Sequence, residues 1–215
     1  MSVSRPKRIV LAITGASGTR YGRRLLQVLT EVPVAVDLVV SAGARLVLSA
    51  EESVDLGEPR ENLAGCPPER LVDPARLVAD LGGPGPGPVT VHSPDDLAAP
   101  IASGSTLVDA MVILPCSMAT LGAVASGAGR NLVHRAADVA LKERRPLVLC
   151  PREAPVSAIH LRNMARLAEA GACILPCSPS FTHRPTDLAD LVDGLVMRVC
   201  DQVGLHLSLR PRWAD

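Results

Sequence analysis

The chain has 215 residues, and its 22 Lys and Arg side chains balance 22 Asp and Glu, so it carries no net formal charge at pH 7. This length suits one domain with a full core and is too short for two of ordinary size. Balanced charge argues against nucleic acid or an anionic membrane surface as a partner. No apolar run approaches the roughly 20 residues that span a bilayer. Because the basic N-terminus leads into a short apolar run without a clear cleavage site, a cytoplasmic location is expected.

Apolar residues make up 47% of the chain, although aromatic residues make up only 1%. The core must therefore be aliphatic, and the excess of apolar side chains predicts interfaces between subunits. The five histidines have no metal-ligand spacing, so no metal site is predicted. The cysteines have no paired C-x-x-C arrangement and most fall in apolar runs, which favours free thiols in the core. These are Cys66, Cys116, Cys150, Cys173, Cys177 and Cys200.

The first predicted element is a strand over residues 9–14, which ends in the turn Gly15-Ala16-Ser17-Gly18. A helical pattern follows, with one apolar face formed by Tyr21, Leu25, Val28 and Leu29. The turn predicts a phosphate cradle, because unpaired N–H groups and the dipole of a first helical turn attract an anion. A G-x-x-G spacing, with Ser41 rather than an acidic residue after the second strand, favours a mononucleotide over a dinucleotide.

Strands and helices then alternate along the chain. Further strands are predicted over 34–40, 108–114, 146–150 and 172–176, and helices over 42–52, 117–126, 131–142, 157–170 and 187–203. Since the strands are continuously apolar, this order predicts an α/β fold, a doubly wound parallel sheet with helices on both faces. Residues 57–94 are rich in Pro and Gly, which makes them a poor strand, and we interpret them as a mobile surface excursion. The domain is expected to span 1–204, with a C-terminal tail over 205–215.

Ligands of such sheets collect at the carboxyl ends of the strands. Besides the first turn and Ser41, those ends carry Pro115–Thr120, Arg152-Glu153 and Pro176–Ser178. Ser117 and Thr120 are three residues apart at a helix start, where helix capping alone would also explain them. Arg152 could clamp a phosphate while Glu153 transfers a proton, with a surface ion pair as the plainer alternative.

These segments resemble a known family, the flavin prenyltransferases of the UbiX or Pad1 type. The matching segments are 13–18 with Tyr21 and Gly22, 25–29, 115–120, 135–139, 141–149, 152–153 and 183–185, which cover most of the chain outside 57–94. The resemblance implies a single-domain flavodoxin-like flavoprotein, typically a homo-oligomeric dodecamer. Such a protein joins a dimethylallyl group from dimethylallyl phosphate to N5 and C6 of FMN, and the prenylated FMN then passes to a UbiD-type decarboxylase.

The resemblance also implies roles for individual residues. FMN would be held by Gly15, Ala16, Ser17, Ser41, Ser117, Met118, Ala119, Thr120 and Arg152. Dimethylallyl phosphate would be held by Lys142, Arg152, Thr182, Arg198 and Arg135, and the chemistry would involve Ser17, Glu153 and Lys142. The side chains suit these roles, because cations stabilise charge that develops on a departing phosphate and a carboxylate with a hydroxyl can relay a proton.

Three positions depart from the family's pattern. Thr182 stands where the family has Tyr, Thr106 follows Ser103-Gly104-Ser105 where the family has an aromatic residue, and Ala119 replaces a basic residue. Trp213 is another ring that the tail could supply. One alternative is therefore an FMN carrier or decarboxylase-associated subunit without prenyl transfer. Another is a cysteine decarboxylase-type flavoprotein, although that branch has an Asn-bearing segment where this chain reads Ser-Met-Ala-Thr.

Overall fold

The computed structural model describes residues 5–51, Val78 and 87–212. Within these ranges the strands are β1 (Lys7–Ile13), β2 (Val34–Val40), β3 (Val89–His92), β4 (Ala110–Cys116), β5 (Leu147–Pro151) and β6 (Cys173–Ile174). The helices are α1 (Thr19–Thr30), α2 (Ala42–Glu51), α3 (Met118–Ser126), α4 (Leu132–Lys142), α5 (Ala158–Glu169) and α6 (Leu188–Gln202), with a 3-10 turn at Pro100–Ala102. Every strand and helix predicted from the sequence is present, with small shifts of its ends.

All six strands form one parallel sheet in the order β3-β2-β1-β4-β5-β6. Without the short edge strand β3 this is the flavodoxin-like order, in which the chain reverses direction across the sheet between the first strand and its neighbour on the other side. Here that switch point lies between β1 and β4. The predicted doubly wound parallel fold is confirmed.

The edge strand β3 corrects one prediction. Residues 57–94 were expected to form a surface excursion with little strand character, but Val89–His92 pairs with β2 from Val36 to Val39. Pro and Gly dominate only as far as Pro88, and the next four residues, Val-Thr-Val-His, suit a strand. Apart from Val78, residues 57–86 lie outside the described residues.

A buried carboxylate helps to hold that edge strand. The Asp37 side chain is only 2% exposed, and it accepts hydrogen bonds from Arg8 Nε (2.6 Å) and Nη2 (2.9 Å) and from His92 Nε2 (2.7 Å). Burial alone would raise the pKa of Asp37, but these donors outweigh it and hold the pKa below its usual value. Asp37 therefore links β1, β2 and β3 through side chains as well as through the backbone ladder.

The core lies on both faces of the sheet. One cluster packs against α1 and α6 and includes Cys150 and Cys200, and the other packs against α3, α4 and α5 and includes Cys116. Five cysteines within the described residues are free, as predicted, and Cys66 lies outside those residues. Burial raises the pKa of Cys177 and of Cys200 to about 12, so both remain neutral thiols.

Side-chain caps define the starts of four helices. Ser117, Asn131, Ser157 and Asp187 each accept a hydrogen bond from the backbone N–H three residues later. The sequence patterns counted these residues as helical, so the predicted helices begin one residue early. Among residues 5–51 and 87–212, no helix is both long enough and apolar enough to cross a membrane.

Helix α1 lies very close to the sheet at Gly22. A Cβ atom there would be 2.3 Å from the carbonyl oxygen of Leu114 in β4. Only glycine permits this approach, which brings the start of α1 to the switch point between β1 and β4.

We expect Gly22→Ala to destabilise the protein. Helix propensity alone would favour Ala by up to about 1 kcal/mol, but overpacking against backbone costs about 1–3 kcal/mol. Denaturant unfolding should therefore show a lower free energy of unfolding. The control is Gly129→Ala, where the new methyl would lie 3.8 Å from His134 Cβ, and its free energy of unfolding should change by less than about 0.5 kcal/mol. Equal behaviour of the two variants would contradict this account of the contact.

Candidate active site

The buried hydroxyl of Thr14 joins the loops that follow β1 and β4. Its Oγ1 donates to the carbonyl of Pro115 (2.8 Å) and accepts from the backbone N–H of Ser117 (2.8 Å). The Thr14 N–H also donates to the Pro115 carbonyl, at 3.2 Å. Sequence reasoning treated Thr14 only as the end of a strand. The available signal was a polar residue that closes an otherwise apolar run.

The turn after β1 is packed against the start of α2. A Cβ atom on Gly15 would be 3.0 Å from the backbone of Gly43, and Gly18 has a φ of +95°, a conformation that favours glycine. Ser41 ends β2 beside this turn, and its Oγ accepts from the N–H of Ala44 (3.1 Å). The predicted residues after β1 and β2 therefore share one wall.

The amides at the start of α1 are already paired. The carboxylate of Glu51 accepts from the N–H of Gly18 (3.0 Å), from the N–H of Thr19 (3.0 Å) and from Thr19 Oγ1 (3.0 Å). Burial alone would raise the pKa of Glu51, but hydrogen bonds from Ser17, Gly18 and Thr19 hold the pKa below its usual value. The prediction that these amides are left unpaired for a phosphate was wrong. Glu51 was missed because it is distant in sequence and carries no local motif.

The start of α3 is a second group of backbone donors. Ser117 Oγ accepts from the N–H of Thr120 (3.2 Å) and donates to Thr120 Oγ1 (3.0 Å), so capping does account for this pair. The N–H groups of Met118 and Ala119 have no acceptor within residues 5–51 and 87–212. Ala119 is exposed, so these amides and the two hydroxyls could bind an anion at the positive end of a helix.

Arg152 and Glu153 follow β5 on the same edge of the sheet. The Arg152 N–H donates to the carbonyl of Cys116 (3.3 Å), and Arg152 Cγ would be 3.9 Å from a Cβ atom on Gly18. Arg152 also lies near Tyr21: burial and the neighbouring Cys177 raise the pKa of Tyr21, while the positive charge of Arg152 lowers it. Glu153 is exposed, and within the described residues it accepts only from the N–H of Ala154, at 3.1 Å. Arg152 and Glu153 form no ion pair with each other, so the alternative of a surface ion pair between them is not observed.

Lys142 and Arg135 lie away from the loops that follow β1, β2, β4 and β5. Lys142 ends α4 just before β5 begins, and it forms an ion pair with Glu143 above Gly104. Arg135 Nε donates to the carbonyl of Ala102 (3.0 Å). The loop with Gly104 and Ala102 leads into β4, so both cations lie toward the amino edge of the sheet. Thr106 is also there, and its Oγ1 donates to the carbonyl of Pro100 (2.6 Å). One chain therefore does not bring Lys142 or Arg135 to the loops described above.

Thr182 and Arg198 share a cavity of about 910 Å³ beside β6. Pro176 and Ser178 also line this cavity, and Cys177 between them is close enough to Arg152 for its positive charge to lower the Cys177 pKa against the larger effect of burial. The cavity therefore adjoins the loop that carries Arg152. Trp213 lies outside the described residues.

The chain is similar to known proteins in both sequence and fold. The flavoprotein family matches residues 2–200. The flavin prenyltransferase UbiX of Pseudomonas aeruginosa is 46% identical over 213 residues, covering 99% of this chain and 97% of that protein. The flavin prenyltransferase UbiX of Escherichia coli K12 is 43% identical over 210 residues, covering 96% of this chain and 98% of that protein.

Solved structures agree with the sequence comparison. AnUbiX (PadA1), crystallised with FMN and dimethylallyl pyrophosphate, has a TM-score of 0.82 and 38% identity, with 97% of this chain and 98% of that chain covered. A dodecameric FMN-dependent UbiX-like decarboxylase from Escherichia coli O157:H7 has a TM-score of 0.79 and 40% identity, with coverage of 96% and 98%. The FMN-dependent cysteine decarboxylase TvaF, at 17% identity and a TM-score of 0.54, shares the fold alone. These matches show that the chain belongs to the flavoprotein family, within its flavin prenyltransferase branch.

Proposed function

We propose that this protein is a flavin prenyltransferase that joins the dimethylallyl group of dimethylallyl phosphate to N5 and C6 of FMN. The observation that carries the proposal is the similarity to flavin prenyltransferases over nearly the whole chain. The convergence of the loops after β1, β2, β4 and β5 at one switch point supports it. The product, prenylated FMN, would serve a UbiD-type decarboxylase, and the expected location is the cytoplasm.

The residues at the switch point fit FMN. The free N–H groups of Met118 and Ala119, with the hydroxyls of Ser117 and Thr120, suit its phosphate. Gly15, Ala16, Ser17 and Ser41 form the adjoining wall, where the close approach of Gly15 to Gly43 leaves no room for a larger side chain. When bound and reduced, FMN would supply the two nucleophilic ring positions.

Ser17 and Glu51 are suited to hold a proton near the ring. The amides of Gly18 and Thr19 fix the Glu51 carboxylate, and the hydroxyl of Ser17 also lowers the pKa of Glu51. Glu51 thereby acts as a positioning residue for Ser17, and Glu153 adds a second carboxylate after β5. Arg152 and Arg198 would stabilise the charge that develops on the departing phosphate.

We further propose that the complete site is shared between copies of the chain, in a homo-oligomer such as a dodecamer. Lys142 and Arg135 lie toward the amino edge of the sheet, whereas the flavin loops lie at its carboxyl edge. If both cations act on the donor phosphate, they must reach the site of a neighbouring copy.

An FMN carrier without prenyl transfer is the second candidate. Thr182 and Thr106 favour it, because neither can place a ring beside an allylic cation. Their hydroxyls are bonded locally, Thr182 with Ser180 (3.0 Å) and Thr106 with Pro100 (2.6 Å).

The proposal predicts a change in flavin mass. The purified protein, incubated anaerobically with reduced FMN and dimethylallyl phosphate, should yield a flavin heavier by one dimethylallyl group in extracted samples measured by mass spectrometry. A known homologue treated in parallel controls for the conditions. Bound but unmodified FMN would support the carrier, and no FMN binding at all would refute both candidates.

Removal of the carboxylate beside Ser17 should slow the chemistry more than it weakens binding. For Glu51→Gln and Ser17→Ala we expect kcat to fall by about 100-fold or more, while KM for the donor changes little. FMN affinity, followed by flavin fluorescence, should change by less than about threefold. A fall in FMN affinity that matches the fall in kcat would assign Glu51 to folding of the loop instead.

Shared sites predict complementation between inactive variants. Arg152→Ala and Lys142→Ala should each be inactive, and a dissociated and reassembled equal mixture should recover activity in about a quarter of its sites if assembly is random. The matched control mixes Lys142→Ala with Arg135→Ala, both changed at the amino edge, and should stay inactive. Failure of the first mixture, with normal assembly, would place Lys142 outside the site.

A further inference from the structure

The cavity beside β6 lies between a loop and a helix. Residues between 178 and 184 line it from the loop that precedes α6, and residues between 194 and 198 line it from α6 itself. Thr182 belongs to the loop wall and Arg198 to the helix wall. The distance between these two side chains is therefore set by how the loop is held against α6.

The ring of His183 joins the two walls by packing on α6 at Gly194. A Cβ atom on Gly194 would be 2.8 Å from Cε1 and 3.2 Å from Nε2 of the ring, so the ring occupies the space that any larger residue would fill. Nε2 also lies 3.3 Å from the carbonyl oxygen of Asp190. Because a carbonyl oxygen can only accept, this hydrogen bond requires a proton on Nε2. His183 and Gly194 both line the cavity, so their contact lies at the cavity itself.

Gly194 has no evident role in the helix other than this contact. It stands in the middle of α6 (Leu188–Gln202), where glycine is less favourable than any other residue except proline. Its backbone is helical, so no positive φ calls for a glycine there. Within the described residues, the ring of His183 is the feature that accounts for a glycine at this position.

The turn that carries His183 is held to α6 at a second point. Arg184 has a φ of +51°, which is uncommon for a residue other than glycine, and its N–H donates to the carbonyl of Phe181 (3.1 Å). Just beyond the turn, the carboxylate of Asp190 accepts from the N–H (2.7 Å) and the hydroxyl (2.8 Å) of Thr186. An unfavourable backbone conformation persists where surrounding contacts hold it. Here those contacts are made by His183 on one side of Arg184 and by Thr186 on the other.

We propose, on the basis of the proposed function, that His183 is a positioning residue for the prenyl donor. By packing on Gly194, its ring fixes the loop so that Thr182 faces the cavity at a set distance from Arg198, before the donor enters. Loss of the contact should weaken donor binding, because part of the binding free energy would then be spent on ordering the loop. FMN should bind as before, since the residues proposed to hold it follow β1, β2, β4 and β5.

The substitution Gly194→Ala tests this inference and leaves the His183 side chain intact. The new methyl must displace the ring, which is the movable partner in the contact, while Ala itself suits a helix better than Gly. Calorimetric titration of the FMN-loaded protein with dimethylallyl phosphate should show an affinity about tenfold weaker than that of the wild type. FMN affinity, followed by flavin fluorescence, should change by less than about twofold. Hydrogen exchange at the amides of residues 181–186 should be faster.

Two further variants separate a positioning role from a general loss of structure. His183→Ala should weaken donor binding to a similar extent, and adding Gly194→Ala to it should change the affinity by less than about twofold more, because no ring remains to be displaced. The matched control is Gly129→Ala, which lies outside the cavity and has His134 Cβ as its nearest neighbour at 3.8 Å. It should leave donor affinity and hydrogen exchange of the loop unchanged. Circular dichroism should show the same helix content in all variants.

Unchanged donor affinity or unchanged loop exchange in Gly194→Ala would overturn the positioning role, and so would effects of the two substitutions that simply add. A wild-type protein that binds no dimethylallyl phosphate would refute the proposed function together with the inference that rests on it. A protein that binds and converts the donor, but is insensitive to Gly194→Ala, would lose only the positioning role of His183.

Discussion

The active-site edge of this protein depends on one buried hydroxyl, that of Thr14. Thr14 is only 1% exposed, and a hydroxyl is costly to bury unless its hydrogen bonds are made. Here Oγ1 both donates to Pro115 and accepts from Ser117. The two bonds fix the loop after β4 against the end of β1. They therefore set where α3 begins, and with it the orientation of the free amides of Met118 and Ala119.

A comparison of the starts of α1 and α3, which lie at this edge, shows what decides which of them is open to an anion. The sequence gives α1 and α3 similar signals, a buried strand followed by small or hydroxyl residues, and either start could bind a phosphate. At α1 the end of α2 supplies Glu51, which takes the amides of Gly18 and Thr19. At α3, among the residues that the structure describes, the Ser117 side chain bonds only to Thr120. Which helix start keeps unpaired amides depends on Glu51, which is 33 positions away from Gly18. No local sequence pattern could therefore predict it.

The distinction between local sequence signals and contacts of distant residues also explains which other parts of the fold and site were predictable. Continuous apolar runs are a local property, so they identified the strands from β1 to β6 apart from β3, and the parallel sheet followed from their alternation with helices. Strand β3 has only four residues, and its place at the edge combines backbone pairing with β2 and the contact of His92 with Asp37, which are 55 positions apart. The roles of the candidate residues in phosphate chemistry remain a prediction. Their division between the two edges, with Lys142 at one and Arg152 at the other, follows from topology and not from residue type.

A chain with no net charge can still act on anionic substrates, because several of its cationic side chains are held locally by carboxylates. Arg198 and Arg212 share Asp201, Arg210 holds Asp190, and Lys142 pairs with Glu143. At a distance these carboxylates offset much of the positive charge, and salt screens the remaining field within about 10 Å. We infer that a chain whose cations are paired in this way attracts few polyanions from solution.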